Sequence, residues 1–354
     1  VKNDGFTIRA VGDICLTGVE SDPFEHVAGA LEADLVFGNL ECCFSTRGVA
    51  ATGKVVFNAD PAAVRWLDRF DVLCLANNHT LDYGPDGLKD TLEVLEGAGR
   101  DYAGAGRNER EATDTRWLDV GDTRVAVVST ADASGGDASR PTVSVLSVDA
   151  VADRIRDART RADVVIASYH GGIELDPLPT PFIVRSLRGF IDAGADVVLA
   201  HHPHVIQPVE RYRGGVIVYS LGNFVFDNRR YGEYAGLAST TTILEVTLSA
   251  GEEPSYRYMP ARIGEDFKPR LLDGAEADTF HDYMDGLERR LADVDPGAVD
   301  MERLANMTRG VHNKSFATLA RYAVRHFRDF TFKELVVGGM MVLRSLFRRG
   351  GRPQ

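Results

Sequence analysis

Cysteine is scarce in this sequence: Cys15, Cys42, Cys43 and Cys74 are the four in 354 residues. Two are adjacent and no pair has C-x-x-C spacing, which excludes a disulfide-stapled scaffold and a zinc ribbon. No apolar run reaches the ~20 residues of a membrane-spanning helix. Val1 to Arg9 shows no basic region followed by an apolar stretch, so no leader peptide and a cytoplasmic location are expected. Positive charge is also in deficit. With 40 Lys/Arg against 52 Asp/Glu, the formal net charge is −12, which argues against a general nucleic-acid surface. An anionic substrate would then need local positive charge, from metal ions or particular arginines. Internal repeats and low-complexity segments are absent.

What is present is ordinary for a globular protein, with 44% hydrophobic and 26% charged residues. The length suits one large α/β domain, or one plus a helical appendage. Short apolar runs, rich in β-branched residues, predict strands buried on both faces at Phe6–Val11, Leu35–Phe37, Val72–Ala76, Val125–Val128, Val164–Ala167, Val197–Ala200 and Val216–Tyr219. Helical segments alternate with them at Pro61–Phe70, Gly84–Ala98, Val151–Ala162 and Phe182–Ala193. This βαβ rhythm implies sheets sandwiched by helices. Thr240–Leu248 followed by Tyr256–Tyr258 reads as a late antiparallel hairpin, and Gly104–Gly106 as a turn. A loose boundary near Asp266 to Gly274 separates a domain over 1–270 from a helical extension over 271–354. From Arg303 onward there are eleven basic and two acidic residues, and apolar residues recur at helical spacing from Phe332 to Phe347. That tail reads as a basic amphipathic helix, packed on the domain or touching a membrane surface or protein partner.

Five polar motifs follow predicted strands: Gly12-Asp13, Asn39-Leu40-Glu41, Asn77-Asn78-His79, His170 to Glu174, and His201-His202-Pro203-His204. Singly, each fits a turn, a helix cap or a surface histidine. Together they hold five of the nine histidines at the strand ends where open α/β sheets build ligand sites. Asp13, Glu41, Asn78, His170, His202 and His204 supply the carboxylate, amide and imidazole donors of a one- or two-metal hydrolytic centre. Mn, Fe or Zn would suit that set.

These motifs, with Leu75 to Gly84, Gly104-Ala105-Gly106, His201 to Pro208 and Tyr219 to Asp227, resemble the bacterial capsule-synthesis CapA type of protein. That type is a branch of the calcineurin-like metallophosphoesterase superfamily, and the resemblance covers about residues 6 to 250. It implies a four-layer sandwich, two mixed β-sheets between helical layers. It implies Asp13 as a metal ligand, Glu41 as the metal-bridging acid, Asn78 as a ligand of the second metal, and His170, His202 and His204 as further ligands. His79 would be a general acid or orienting group. The chain departs from the pattern at Cys15, where a phosphoesterase has the histidine of Asp-x-His, at Gly171 where the branch has tryptophan, and at Cys42-Cys43.

Three functions follow as expectations. The first is a metal-dependent hydrolase acting on a phosphoester or amide bond of an anionic small molecule, polymer or peptide, including poly-glutamate. The second is a cofactor-independent peptide epimerase like the one the CapA-like group includes in lasso-peptide tailoring. It would use His79 with a thiol, Cys15 or Cys43, or with another histidine, His170, as its acid–base pair and need no metal. The third is a non-catalytic component of a capsule-polymer assembly complex. Glu174, Asn223 and Lys54 are expected at the substrate, and Arg47, Arg211, Arg229 and Arg230 are further candidates for binding a carboxylate or phosphate.

Overall fold

The computed structural model describes residues 5–132 and 139–300. In chain order its strands are β1 (Phe6–Ile14), β2 (Leu35–Leu40), β3 (Val72–Cys74), β4 (Tyr102–Ala103), β5 (Ala105–Gly106), β6 (Arg116–Val120), β7 (Thr123–Ala131), β8 (Thr142–Val143), β9 (Val164–His170), β10 (Val197–His201), β11 (Val209–Tyr212), β12 (Gly215–Val218), β13 (Asn223–Val225), β14 (Thr240–Leu248), β15 (Ser255–Ile263) and β16 (Pro269–Leu271). The helices are α1 (Gly84–Gly97), α2 (Glu109–Thr113), α3 (Val148–Arg159), α4 (Pro181–Asp192), α5 (Ala235–Ala238) and α6 (Gly274–Leu291).

Apart from the short β5–β8 pair, the strands form two mixed sheets. One runs β16-β15-β14-β1-β2-β3-β4, with β13 also paired to β1, and the other runs β11-β12-β10-β9-β7-β6. In the first sheet β1 to β4 are parallel, and β14 to β16 extend it antiparallel. In the second, β7, β9, β10 and β12 are parallel between the antiparallel edge strands β6 and β11.

Alternation along the strands builds the layers, because successive side chains leave a strand on opposite faces. Leu35 and Phe37 face the second sheet, while Val36 faces outward against Leu67 and Phe70. Ile166 and Leu199 face the first sheet, while Val165, Ala167 and Val198 pack on α3 and α4 through Ile155, Leu187 and Phe190. The apolar seam between the sheets is thus enclosed by helices on both outer sides, which is the four-layer α/β sandwich. Burying a Val, Leu or Ile side chain contributes about 1.5–3 kcal/mol, and dozens are buried here.

Two elements differ from the sequence reading. Pro61–Arg69 is a 3₁₀ segment rather than an α-helix. Pro61 opens it, Asp60 caps Ala62 N–H at 2.8 Å, and Ala63 and Trp66 are buried three residues apart, the period of a 3₁₀ turn. Gly104 does turn the chain, at φ 88°, but its neighbours join strands on either side. Across the expected boundary, Pro269–Leu271 still pairs in the first sheet. α6 packs Phe280, Met284 and Leu287 on Ile206. The basic amphipathic helix expected after Phe332 lies outside the described residues. Among the described residues no helix is long and apolar enough to cross a membrane.

Candidate metal centre

The parallel strands of both sheets end at one place. Asp13 pairs in register with Asn39 and Asn223, and His170 pairs with His201. The register shift within β1, between Ala10 and Asp13, needs a glycine, because a Cβ on Gly12 would lie 2.0 Å from Gly222 O. That close approach lets Asp13 N–H donate to the same carbonyl at 2.9 Å. His202 and His204 flank Pro203 with φ of 105° and 60°. Such backbone costs a non-glycine residue about 1–3 kcal/mol and concentrates at functional sites. Here it turns both imidazoles toward the same carboxylates.

Three overlapping groups bring ligand atoms within 4.8 Å of one another: Asp13, Glu41 and His204; Glu41, His170 and His202; Glu174, His202 and His204. Glu41 belongs to the first two, and so stands between them. Asn78 Oδ1 lies 2.7 Å from His170 Nε2, beside the second group. His204 Nδ1 is 3.2 Å from Asp13 Oδ2 and 3.9 Å from Glu41 Oε2. His170 Nε2 is 3.6 Å from Glu41 Oε1.

The electrostatics of this cluster suit a cation. Glu41 is wholly buried and neither of its oxygens has a hydrogen-bond donor. Burial, then the adjacent Asp13 charge, push its carboxyl well above the ordinary range. A carboxyl so placed either keeps its proton or faces positive charge. For Asp13, burial pulls upward, but the hydrogen bond and charge of His204 outweigh it and hold the carboxyl below its usual value. Burial and then His202 push His170 well below the ordinary histidine range. Burial and then His204 bring His202 to about 4. Both imidazoles are therefore neutral at pH 7, the form that ligates metal. The residues present fit a metal centre by donor chemistry and by the unsatisfied oxygens at its middle.

A second device adjoins it. His79 Nδ1 is 2.7 Å from Asp82 Oδ2, and its Nε2 faces Glu41 Oε1 at 3.9 Å. Asp82, wholly buried, also accepts from Phe57 N–H at 2.7 Å and pairs with Lys54 Nζ at 2.5 Å. Lys54 Nζ donates as well to Asn78 O at 2.6 Å. Asp82 fixes Nδ1 of His79 as the donor and leaves Nε2 toward the centre. Burial lowers His79, with Asp82 opposing.

The expected metal ligands thus come together, and His79 lies beside them. The residues expected at the substrate have other surroundings. Lys54 is tied to Asp82 and Asn78. Asn223 is wholly buried, with Oδ1 2.9 Å from His204 Nδ1 and Nδ2 donating to Asn228 Oδ1 at 2.6 Å, so it orients His204. Glu174 is exposed and groups with His202 and His204 as a ligand-type carboxylate.

The thiols divide as well. Cys43 donates to the carbonyls of His79 and Thr80 at 3.3 and 3.5 Å. Burial, then Asp82, push it up to about 12, which makes it a neutral buttress of the His79 loop. All four cysteines are free and buried; the Cys15 thiol hydrogen-bonds with Cys42, whose sulfur accepts from Leu16 N–H at 3.4 Å. His201 points away from the cluster, with Nε2 3.1 Å from Val11 O.

Asp82, within the Leu75 to Gly84 stretch, has no role assigned from the sequence. Neither has Asn39, whose Nδ2 donates to Asp13 Oδ1 at 2.8 Å. The Asn-His-x-x-Asp spacing of Asp82 to His79 was the available signal.

The family model described as bacterial capsule synthesis protein PGA_cap matches residues 7–228. The capsule biosynthesis protein CapA of Bacillus anthracis is 40% identical over 250 residues, which cover 64% of this chain and 61% of the relative. The PGA biosynthesis protein CapA of Bacillus subtilis is 36% identical, covering 58% and 56%. This chain thus spans about three fifths of the length of these relatives. A Mycobacterium tuberculosis protein named "Probable polyglutamine synthesis accessory protein" is 32% identical, covering 73% of each chain. Among solved structures, a phosphatase from Mycoplasma pneumoniae is similar with a TM-score of 0.46 at 10% identity, covering 73% of this chain and 95% of that one. Family membership rests on the sequence matches: the chain belongs to the bacterial capsule synthesis PGA_cap family.

Proposed function

We propose that this chain is a metal-dependent hydrolase that cleaves a phosphoester or amide bond in an anionic substrate, such as a glutamate polymer or peptide. The observation that carries this reading is Glu41, a wholly buried carboxylate with two unsatisfied oxygens, shared between two groups of ligand-type residues. Asp13, Glu41 and His204 would hold one divalent ion; Glu41, Asn78, His170 and His202 would hold a second. Bound there, divalent ions supply Lewis-acid stabilisation of the charge that develops at the scissile group.

The remaining work belongs to the chain. Asn39 and Asn223 orient Asp13 and His204. Asp82 holds the His79 tautomer, so that Nε2 can accept a proton and return it to the leaving group. Lys54 keeps Asp82 in place. The thiol of Cys43 is occupied by backbone carbonyls, which supports hydrolysis over epimerisation through that thiol.

The test is metal content by plasma mass spectrometry together with hydrolysis of p-nitrophenyl phosphate and of a γ-linked glutamate oligomer. We expect near-stoichiometric Mn, Fe or Zn in the purified protein, loss of metal in Asp13→Ala, and loss of turnover on chelation. Turnover that survives both chelation and Asp13→Ala would sink the reading.

A further inference from the structure

Five cations near the motifs were candidates for holding a substrate anion; three of them are ion-paired and a fourth lies away from the centre. Arg47 pairs with Asp90 and Glu93, Lys54 with Asp82, and Arg229 with Asp227 at 2.7 Å. Arg211 lies over the Tyr256 ring, on a strand pairing it with Val216 near the start of β12, at the opposite end of the sheet from the metal centre. Arg230 differs. It is exposed, and it forms no ion pair with any described residue.

Its guanidinium carbon sits 4.6 Å from the centroid of Phe57, and Phe57 in turn lies 4.3 Å from the His79 ring. The charge of Arg230 also reaches the buried Cys15, two residues from Asp13. The segment that carries it is fixed to the centre rather than loose. Asp227 Oδ1 accepts from Arg229 N–H at 3.2 Å, and Asn228 is tied through Asn223 to His204. On the other side Tyr231 packs 5.5 Å from the His204 ring.

An aromatic face orients a guanidinium without consuming its hydrogen-bond donors. The result is a planar, forked donor with no ion pair to a described residue, held one aromatic ring away from His79, in a protein whose net charge is −12. We propose that Arg230 is the specificity residue of this site: it binds a carboxylate or phosphate oxyanion of the substrate and seats it beside His79 and Glu41. This deepens the hydrolase reading and rests on it for what is cleaved, but the binding is measurable without turnover.

Titration calorimetry with three probes tests it: tri-γ-glutamate, its methyl ester, and inorganic phosphate. Wild type, Arg230→Gln, Arg230→Lys and the control Arg229→Gln are compared as purified, with metal content recorded for each. We expect wild type to prefer the anionic probes, and Arg230→Gln to weaken them about 10- to 100-fold, the range for losing a charge-assisted bidentate contact. Arg230→Lys should lose less, Arg229→Gln nothing, and metal content should not change. A loss confined to tri-γ-glutamate assigns a carboxylate; a loss confined to phosphate assigns a phosphate. Equal affinity in wild type and Arg230→Gln overturns the proposal, as does a wild type that binds neither anion. If Arg230 governs binding but chelation leaves turnover untouched, the hydrolase reading fails and the Arg230 assignment stands.

Discussion

Lys54 is a long, partly exposed side chain whose ammonium reaches a carboxylate with no exposed surface. That contact has two consequences for the centre. It compensates Asp82, which would otherwise be a buried charge facing only His79 and one backbone N–H. It also grips the carbonyl of Asn78, so the residue beside His170 and the residue behind His79 share one anchor. Lys54→Met keeps the length of the side chain and removes the charge. Turnover of p-nitrophenyl phosphate is expected to fall about 10- to 100-fold, within the range for disturbing a proton-transfer group, with metal content unchanged. Arginine in its place should restore part of the rate. Unchanged turnover in Lys54→Met would reduce Lys54 to an exposed charge that happens to lie nearby.

At the scale of elements, the helix after the His79 loop also organises the loop before it. α1 presents Asp90, whose Oδ2 accepts from the N–H groups of Thr46 and Arg47, each at 3.0 Å, and from Ser45 Oγ at 3.2 Å. The next residue, Thr91, accepts from Phe44 N–H at 2.9 Å. The chain leaving Glu41 is thereby turned toward Lys54 and Phe57. Burial pulls the Asp90 carboxyl upward, but Arg47 and the backbone donors hold it below its usual value. A carboxyl depressed in the folded state adds stability above its unfolded value, near 3.9, and loses it as pH falls through the folded value. Asp90→Ala should therefore cost about 2 kcal/mol at pH 7, and the gap from wild type should narrow below about pH 4; urea unfolding at pH 7 and pH 3 measures both. How far such features are legible in sequence depends on locality. The strand ends are legible because an apolar run stops at a polar pair, as at Leu75-Ala76-Asn77. The ligand set is legible because each donor follows such an end. The roles of Lys54, Asn223 and Asp90 are not, since each is set by a partner 19 to 45 residues away, across a loop whose path no local pattern encodes. Pro61–Arg69 misleads for the opposite reason, since its composition suits either helix type and packing selects the tighter one.

For the molecule as a whole, two sheets meet along an apolar seam that orients them only loosely, because hydrophobic contact is non-directional. The candidate metal centre needs more, since Asp13 and Glu41 come from one sheet while His170 ends a strand of the other and His202 and His204 follow one. His201 supplies a directional tie. It ends β10 in the second sheet, its Nε2 reaches Val11 O in the first at 3.1 Å, and its ring stacks on Phe37 with centroids 6.0 Å apart. Burial keeps it below the ordinary histidine range, so it is a neutral donor to that carbonyl. His201 and His202 are therefore adjacent imidazoles with separable tasks. His201→Leu leaves the Val11 carbonyl unpaired in the seam and should cost about 1–3 kcal/mol, read as a lower urea midpoint, while metal stoichiometry persists. His202→Leu removes a residue common to two of the ligand groups and should lose metal with a smaller change in the midpoint of the metal-free protein. Measuring both quantities on both variants separates the tasks. If His201→Leu loses metal and keeps its midpoint, His201 belongs to the centre, and some other contact sets the sheets against each other.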